Sequence, residues 1–128
     1  MNTSDYLLER ADDAATALVE GGKARTYGEL KAAAARIAGE LHSMGFVPGD
    51  RIGILGSNSL FWVASYLAVM KSGMVAVPFS LMLTPEDATR NAVFAGCGAV
   101  LMDRRQRRGF GTARSEEHTS ELQSRITI

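Results

Sequence analysis

At 128 residues the chain has the length of one small domain or of a piece of a larger one. Fourteen Lys and Arg balance fourteen Asp and Glu, so no global field draws it to nucleic acid or to an anionic membrane. A single cysteine, Cys97, excludes an internal disulfide and fits a reducing compartment. The opening MNTSDYLLER carries acids and has no apolar run of the kind a secretory signal needs. The longest apolar run, residues 60–70, is interrupted by Ser65 and Tyr66 and falls short of the ~20 residues that cross a bilayer. Together these features imply a soluble, cytoplasmic chain without a transmembrane segment.

Taken in order, residues 5–10 suit one or two helical turns. Residues 17–19 and 24–26 suit a hairpin about Glu20-Gly21-Gly22-Lys23. Thr26-Tyr27-Gly28-Glu29 has the spacing of a capping box, in which the Thr26 hydroxyl accepts from the Glu29 amide while the Glu29 carboxylate reaches back. Leu30, Ala34, Ile37, Leu41 and Met44 then fall on one helical stripe that ends at Gly45. After the turn formers Pro48-Gly49-Asp50, the apolar run RIGILG (residues 51–56) reads as a strand covered on both faces. Residues 59–72 allow about four helical turns closing on Gly73, and MVAVPF (74–79) returns as a second strand. A strand, helix and strand in so short a span predict a right-handed parallel crossover. Thr84-Pro85-Glu86-Asp87 opens another helix, with a cap, a proline where its missing amide costs nothing, and two acids at the positive end of the dipole. That helix runs to about Ala95 and stops in Gly96-Cys97-Gly98, and AVLMD (99–103) reads as a third strand. The order helix, strand, helix, strand, helix, strand predicts an α/β fold with a parallel sheet.

The helix at 59–72 carries Leu60, Phe61, Trp62, Val63, Tyr66, Leu67, Val69 and Met70 on more than one face, which calls for burial between layers. Each large side chain is worth roughly 1.5–3 kcal/mol when fully buried. Half a dozen therefore rival the ~5–15 kcal/mol net stability of a domain. Three strands and three helices are too few to cover that helix and both sheet faces. The chain is expected to be a partial subdomain, marginal or aggregation-prone alone because its sheet edges and this helix lack partners.

After Asp103 the alternation gives way to RRQRRGFGTA and then RSEEHTSELQSRITI. Residues 114–124 read, codon for codon, as the translation of a common short-read sequencing adapter, and 125–128 are compatible with the index that follows it. Residues 114–128 are therefore set apart from fold and function, which removes His118 and its Ser and Glu neighbours from any catalytic reading. The organisation expected is 1–103 as the folded piece, 104–113 as a junction of uncertain origin, and 114–128 as the adapter-derived tail.

Few residues offer chemistry. Gly56-Ser57-Asn58-Ser59 lies between a strand and a helix at the carboxyl end of a parallel strand, where doubly wound folds often bind ligands and free amides favour anions. The ordinary alternative, and the favoured one, is an N-cap by Asn58 or Ser59. Gly53 and Gly56 do not make G-x-G-x-x-G, and neither G-x-x-x-x-G-K-[ST] nor G-x-S-x-G occurs. His42, near the end of its helix, suits contact with the last carbonyls. Cys97, between two glycines, reads as a small buried residue, and no ligand cluster suits a metal. Arg104-Arg105-Gln106-Arg107-Arg108 with Gly109-Phe110-Gly111 is the one charge run. It echoes the start of an RNA-recognition strand but lacks the later aromatics.

Several pieces together resemble the amino-terminal region of AMP-forming acyl-CoA synthetases, in the adenylate-forming superfamily. They are Thr26-Tyr27-x-Glu29-Leu30, Pro48-Gly49-Asp50-Arg51, Asn58-Ser59-x-x-Trp62, Lys71-Ser72-Gly73, and Val77-Pro78 through Leu83-Thr84-Pro85-Glu86. The resemblance runs to about Asp103, and Asn58-Ser59 with Trp62 sits closer to the CoA-ligase branch than to peptide-synthetase adenylation domains. It implies a ligase, of the kind met in fatty acid metabolism, in which a carboxylate attacks the α-phosphate of MgATP to give an acyl-adenylate and a thiol, usually CoA, displaces AMP. ATP, Mg and CoA are thus implied for the full-length family and none for this fragment. The family's Ser/Thr/Gly-rich phosphate loop with its lysine, Tyr-Gly-x-Thr-Glu segment, ribose-binding aspartate and carboxyl-terminal lysine have no counterpart here. No catalytic, cofactor-binding or metal residue is assigned. The fragment is expected to be inactive alone, with the remainder of the synthetase as its partner. The rival readings are a small nucleic-acid-binding module using residues 104–108 and another kind of doubly wound nucleotide-binding domain.

Overall fold

A computed structural model describes residues 2–112. The elements are α1 (Thr3–Glu9), β1 (Thr16–Glu20), β2 (Lys23–Thr26), α2 (Tyr27–Ser43), β3 (Arg51–Leu55), α3 (Leu60–Lys71), β4 (Val75–Pro78), α4 (Pro85–Phe94), β5 (Cys97–Met102) and α5 (Arg104–Thr112). The adapter reading of residues 114–128 falls outside the described residues.

The helix starts follow the local chemistry. The Glu29 amide donates to Thr26 Oγ1 at 3.1 Å and the Thr26 amide to Glu29 Oε1 at 3.3 Å, completing the expected capping box of α2. Ser59 Oγ caps α3 and Thr84 Oγ1 caps α4. Helices α2, α3 and α4 are each followed by a glycine at positive φ: Gly45 at 91°, Gly73 at 72° and Gly96 at 73°. Asn2 opens α1 with a capping box of its own and works in two directions. Its Oδ1 accepts from the Asp5 amide at 3.1 Å, while its Nδ2 donates to the carbonyls of Met70 and Lys71 at 3.0 and 3.3 Å, tying α1 to the end of α3.

β1 and β2 pair antiparallel as the expected hairpin. The other three strands form a parallel sheet in the order β4-β3-β5, with Ile52 opposite Ala76 on one side and Ala99 on the other. Successive residues of β5 point to opposite layers: Ala99 and Leu101 join the core with α1, α2 and α3, while Val100 and Met102 join the core with α4 and Phe110 of α5. This explains the unbroken apolar run, since a parallel strand covered on both faces has no polar side. Gly53 in β3 makes room as well. A Cβ there would lie 2.7 Å from the Phe79 ring and 3.1 Å from Val100.

Three expectations need correction. Met44 leaves the buried stripe and is 41% exposed, because it is the C-cap, where the chain turns away at Gly45; Ala38 takes its place beside Leu30, Ala34, Ile37 and Leu41. The alternation does not break at Asp103: residues 104–112 are helical, with Phe110 buried against Leu55, Ala88, Ala92, Val100 and Met102. The helix α3 buries its small residues Ala64, Ser65 and Ala68 together with Leu67 and Val69, while Phe61, Trp62 and Tyr66 are only half-buried. Small side chains let α3 pack closely on α2 and α1, and the large rings are left at the margin, where Trp62 stacks on Tyr66 with centroids 5.4 Å apart.

Two stability predictions follow from these contacts. Leu41 has no exposed surface, so Leu41→Ala should lower the unfolding free energy by about 2–5 kcal/mol, whereas Met44→Ala should change it by no more than ~0.5 kcal/mol; urea melts of both variants decide this. The Thr26 amide, with Arg25 adding at 2.9 Å, holds the Glu29 carboxyl below its ordinary value of 4.5. A lowered folded pKa stabilises above the unfolded value and is lost as pH falls through the folded one. The stability gap between the native chain and Glu29→Ala should therefore be steady at neutral pH and shrink as pH drops below 4.5.

Candidate functional site

The middle strand β3 is where the sheet changes direction. From it the chain goes through α3 to β4 on one side, then through α4 to β5 on the other, so the carboxyl end of β3 opens between two diverging connections. The corner Gly56-Ser57-Asn58-Ser59 lies there, at the edge of a cleft of about 420 Å³.

The amides of this corner are taken by the protein's own acceptors. Trp62 donates its amide to Ser59 Oγ at 3.2 Å, the ordinary N-cap favoured from sequence. The Leu60 amide donates to Glu20 Oε1 at 2.7 Å, so the hairpin β1–β2 supplies a carboxylate to the positive end of α3. Asp103, just beyond β5, accepts from the Ser57 amide through Oδ2 at 3.0 Å and from the Gln106 amide through Oδ1 at 2.9 Å. One carboxylate thus caps α5 and ties it to the corner. Gly56 is what permits the approach: a Cβ there would lie 3.2 Å from Asp103 Oδ2 and 3.3 Å from the Phe61 ring. The amides weighed as an anion seat at this corner are engaged by Ser59, Glu20 and Asp103, in keeping with the favoured N-cap.

The other candidates scatter. His42 is exposed in the last turn of α2 and does not line the cleft. Cys97 begins β5, at the end of the sheet opposite the cleft, and burial pushes its thiol above the ordinary value while Arg51 opposes this. A thiol held protonated is a poor nucleophile. Among the described residues no group of three His, Cys, Asp or Glu side chains suits a metal. Sequence reasoning missed Glu20 and Asp103, whose partners lie 40 and 46 residues away; the Asp103-x-x-Gln106 spacing was a cap signal that would have found the second. It also missed that the arginine run, read as a break, folds into a helix whose Arg104, Arg105 and Arg108 line the cleft.

Fold and corner together define part of a parallel α/β domain, in a class of folds that often holds ligands at the carboxyl ends of its strands. The profile of the AMP-binding enzyme family matches residues 8–128, and the chain belongs to that family. It is 39% identical over 87 residues to a feruloyl-CoA synthase of Amycolatopsis sp, covering 68% of this chain and 18% of that protein. It is 33% identical over 87 residues to a 3-hydroxybenzoate–CoA ligase of Aromatoleum sp. (strain CIB), covering 68% and 17%. Among solved structures, a benzoate CoA ligase from Burkholderia xenovorans LB400 superposes with a TM-score of 0.77 at 25% identity, over 85% of this chain and 23% of that one. The chain thus spans under a fifth of the length of these two curated relatives.

Asp103→Ala should cost about 1–2 kcal/mol, because two amides lose their acceptor at once, while Asp103→Asn, which keeps one carbonyl oxygen, should cost less. Denaturant midpoints of the two variants give the order.

Proposed function

We propose that this chain is an amino-terminal scaffold segment of an AMP-forming acid–CoA ligase. The reaction would run in two steps. A carboxylate attacks the α-phosphate of MgATP, forming the acyl-adenylate and releasing pyrophosphate, and the CoA thiol then displaces AMP. The observation that carries the reading is the family match over residues 8–128, joined to a fold shared with a benzoate CoA ligase. The names of the relatives favour aromatic carboxylic acids as substrates. The buried Phe110 favours counting residues 104–110 with the scaffold, and residues 114–128 are read as adapter-derived.

In this reading the segment's work is positional. It builds the corner at the end of β3 and holds it rigid through Glu20, Ser59 and Asp103, leaving phosphate binding and proton transfer to other parts of the enzyme. No described cluster suits magnesium, so no step through the metal is given to these residues. The half-buried Trp62 and Tyr66 and the exposed Val75 of the edge strand β4 support a surface made for the rest of the synthetase. No helix among the described residues is long and apolar enough to cross a membrane, and with a lone Cys97 thiol this favours the cytoplasm.

Exchange of labelled pyrophosphate into ATP tests the proposal. A full-length ligase containing this segment should exchange in the presence of an aromatic carboxylate, and the 128-residue chain alone should not. Exchange by the short chain, or a full-length protein inert toward every carboxylate offered, would refute it.

A further inference from the structure

The chain has three asparagines, Asn2, Asn58 and Asn91, and the fold treats them differently. Asn2 has both side-chain atoms engaged, by the Asp5 amide and by the Met70 and Lys71 carbonyls, and β-branched Thr3 follows it. Asn91 is exposed but lies inside α4, where the next amide, that of Ala92, belongs to the helical ladder. Asn58 stands in the exposed bend between β3 and α3, and among the described residues its side chain has no hydrogen-bond partner. Ser59 follows it with a small side chain whose hydroxyl is turned toward the Trp62 amide at 3.2 Å. The Ser59 amide itself precedes the helical ladder, because Ser59 is the N-cap, and among the described residues nothing accepts from it.

We propose that Asn58 is a site of self-modification, at which the side-chain amide is lost to attack by the backbone nitrogen of Ser59. The Ser59 nitrogen bonds to Asn58 Cγ as the Cγ–Nδ2 bond breaks. The Ser59 amide proton leaves with Nδ2 as ammonia, and a cyclic imide closes. Water then adds across either imide C–N bond, giving aspartate one way and isoaspartate the other. Water is consumed and ammonia released, with no oxidant or reductant. The attack needs a nitrogen without a protein acceptor, a small side chain beside it, and a backbone free to bring the two atoms together. Asn58 meets the first two, and an exposed bend supplies the third. The products act differently on α3. Aspartate sets a negative charge ahead of the helix's positive end, which the dipole favours. Isoaspartate lengthens the main chain by one atom directly before the cap and so draws Ser59 Oγ away from the Trp62 amide.

The 128-residue chain, held warm at mildly alkaline pH and mapped by peptide mass spectrometry, tests this. Asn58 should pass from amide to acid at least about tenfold faster than Asn2 or Asn91, with isoaspartate among its products. Ser59→Thr keeps a capping hydroxyl but crowds the nitrogen, and should slow Asn58 at least about tenfold while leaving the other two unchanged. In concentrated guanidinium, Asn91 loses the protection of α4 and should approach the rate of Asn58. The isoaspartyl fraction, separated by ion exchange, should melt below the fresh chain, whereas Asn58→Asp, which adds the charge without the extra atom, should not. Native rates alike at all three asparagines, or an Asn58 rate indifferent to Ser59→Thr, would overturn the proposal. An isoaspartyl fraction melting with the fresh chain would overturn the loss of the cap.

Discussion

The structure depends on β3 being paired along both edges and covered on both faces. Residues 51–54 pair with β4 on one side and 51–55 with β5 on the other, and Ile52, Ile54 and Leu55 are buried. A strand so enclosed has no solvent face on which to place a polar residue, so its sequence is apolar after Arg51. Arg51 lies at the exposed beginning, where its Nη1 donates to the Ala95 carbonyl at 2.8 Å and closes the end of α4. β4 and β5 pair with β3 and α3 packs on it, while α1 and α2 pack on α3 and the hairpin packs on α2.

The fold was legible wherever the code is local. Thr26 with Glu29, Ser59 before an apolar run, and Thr84-Pro85 all mark helix starts through contacts made within three residues, and the structure makes each of them. Asn2 with Asp5 follows the same rule at the start of the seven-residue α1. Legibility failed at the ends of elements and at RRQRRGF, where composition suggested a break. There the deciding contact is Phe110, buried among residues of β3, α4 and β5, and no window of sequence contains them together. The same holds for α3. Its apolar composition foretold burial, but which side chains go inside was decided by how closely α1 and α2 approach.

The site was legible in position and not in content. A strand-to-helix corner after a buried strand can be read from a dozen residues, and so can the serine that caps it. That Glu20 would reach the Leu60 amide, and that Asp103 would hold both Ser57 and Gln106, depends on the hairpin and on β5 arriving at the same end of the sheet. The family resemblance, carried by motifs scattered from Thr26 to Glu86, agreed with the profile match even where no single motif was specific.

The two-way role of Asn2 has a chemical consequence with time. Its amide accepts at one helix and donates at another. Slow hydrolysis of that amide to a carboxylate would leave the acceptor at α1 untouched. The donor facing the Met70 and Lys71 carbonyls would become a negative oxygen at the negative end of α3. Exchange of that one amide group for an oxygen would then unfasten α1 from the end of α3, with the sheet behind it unchanged.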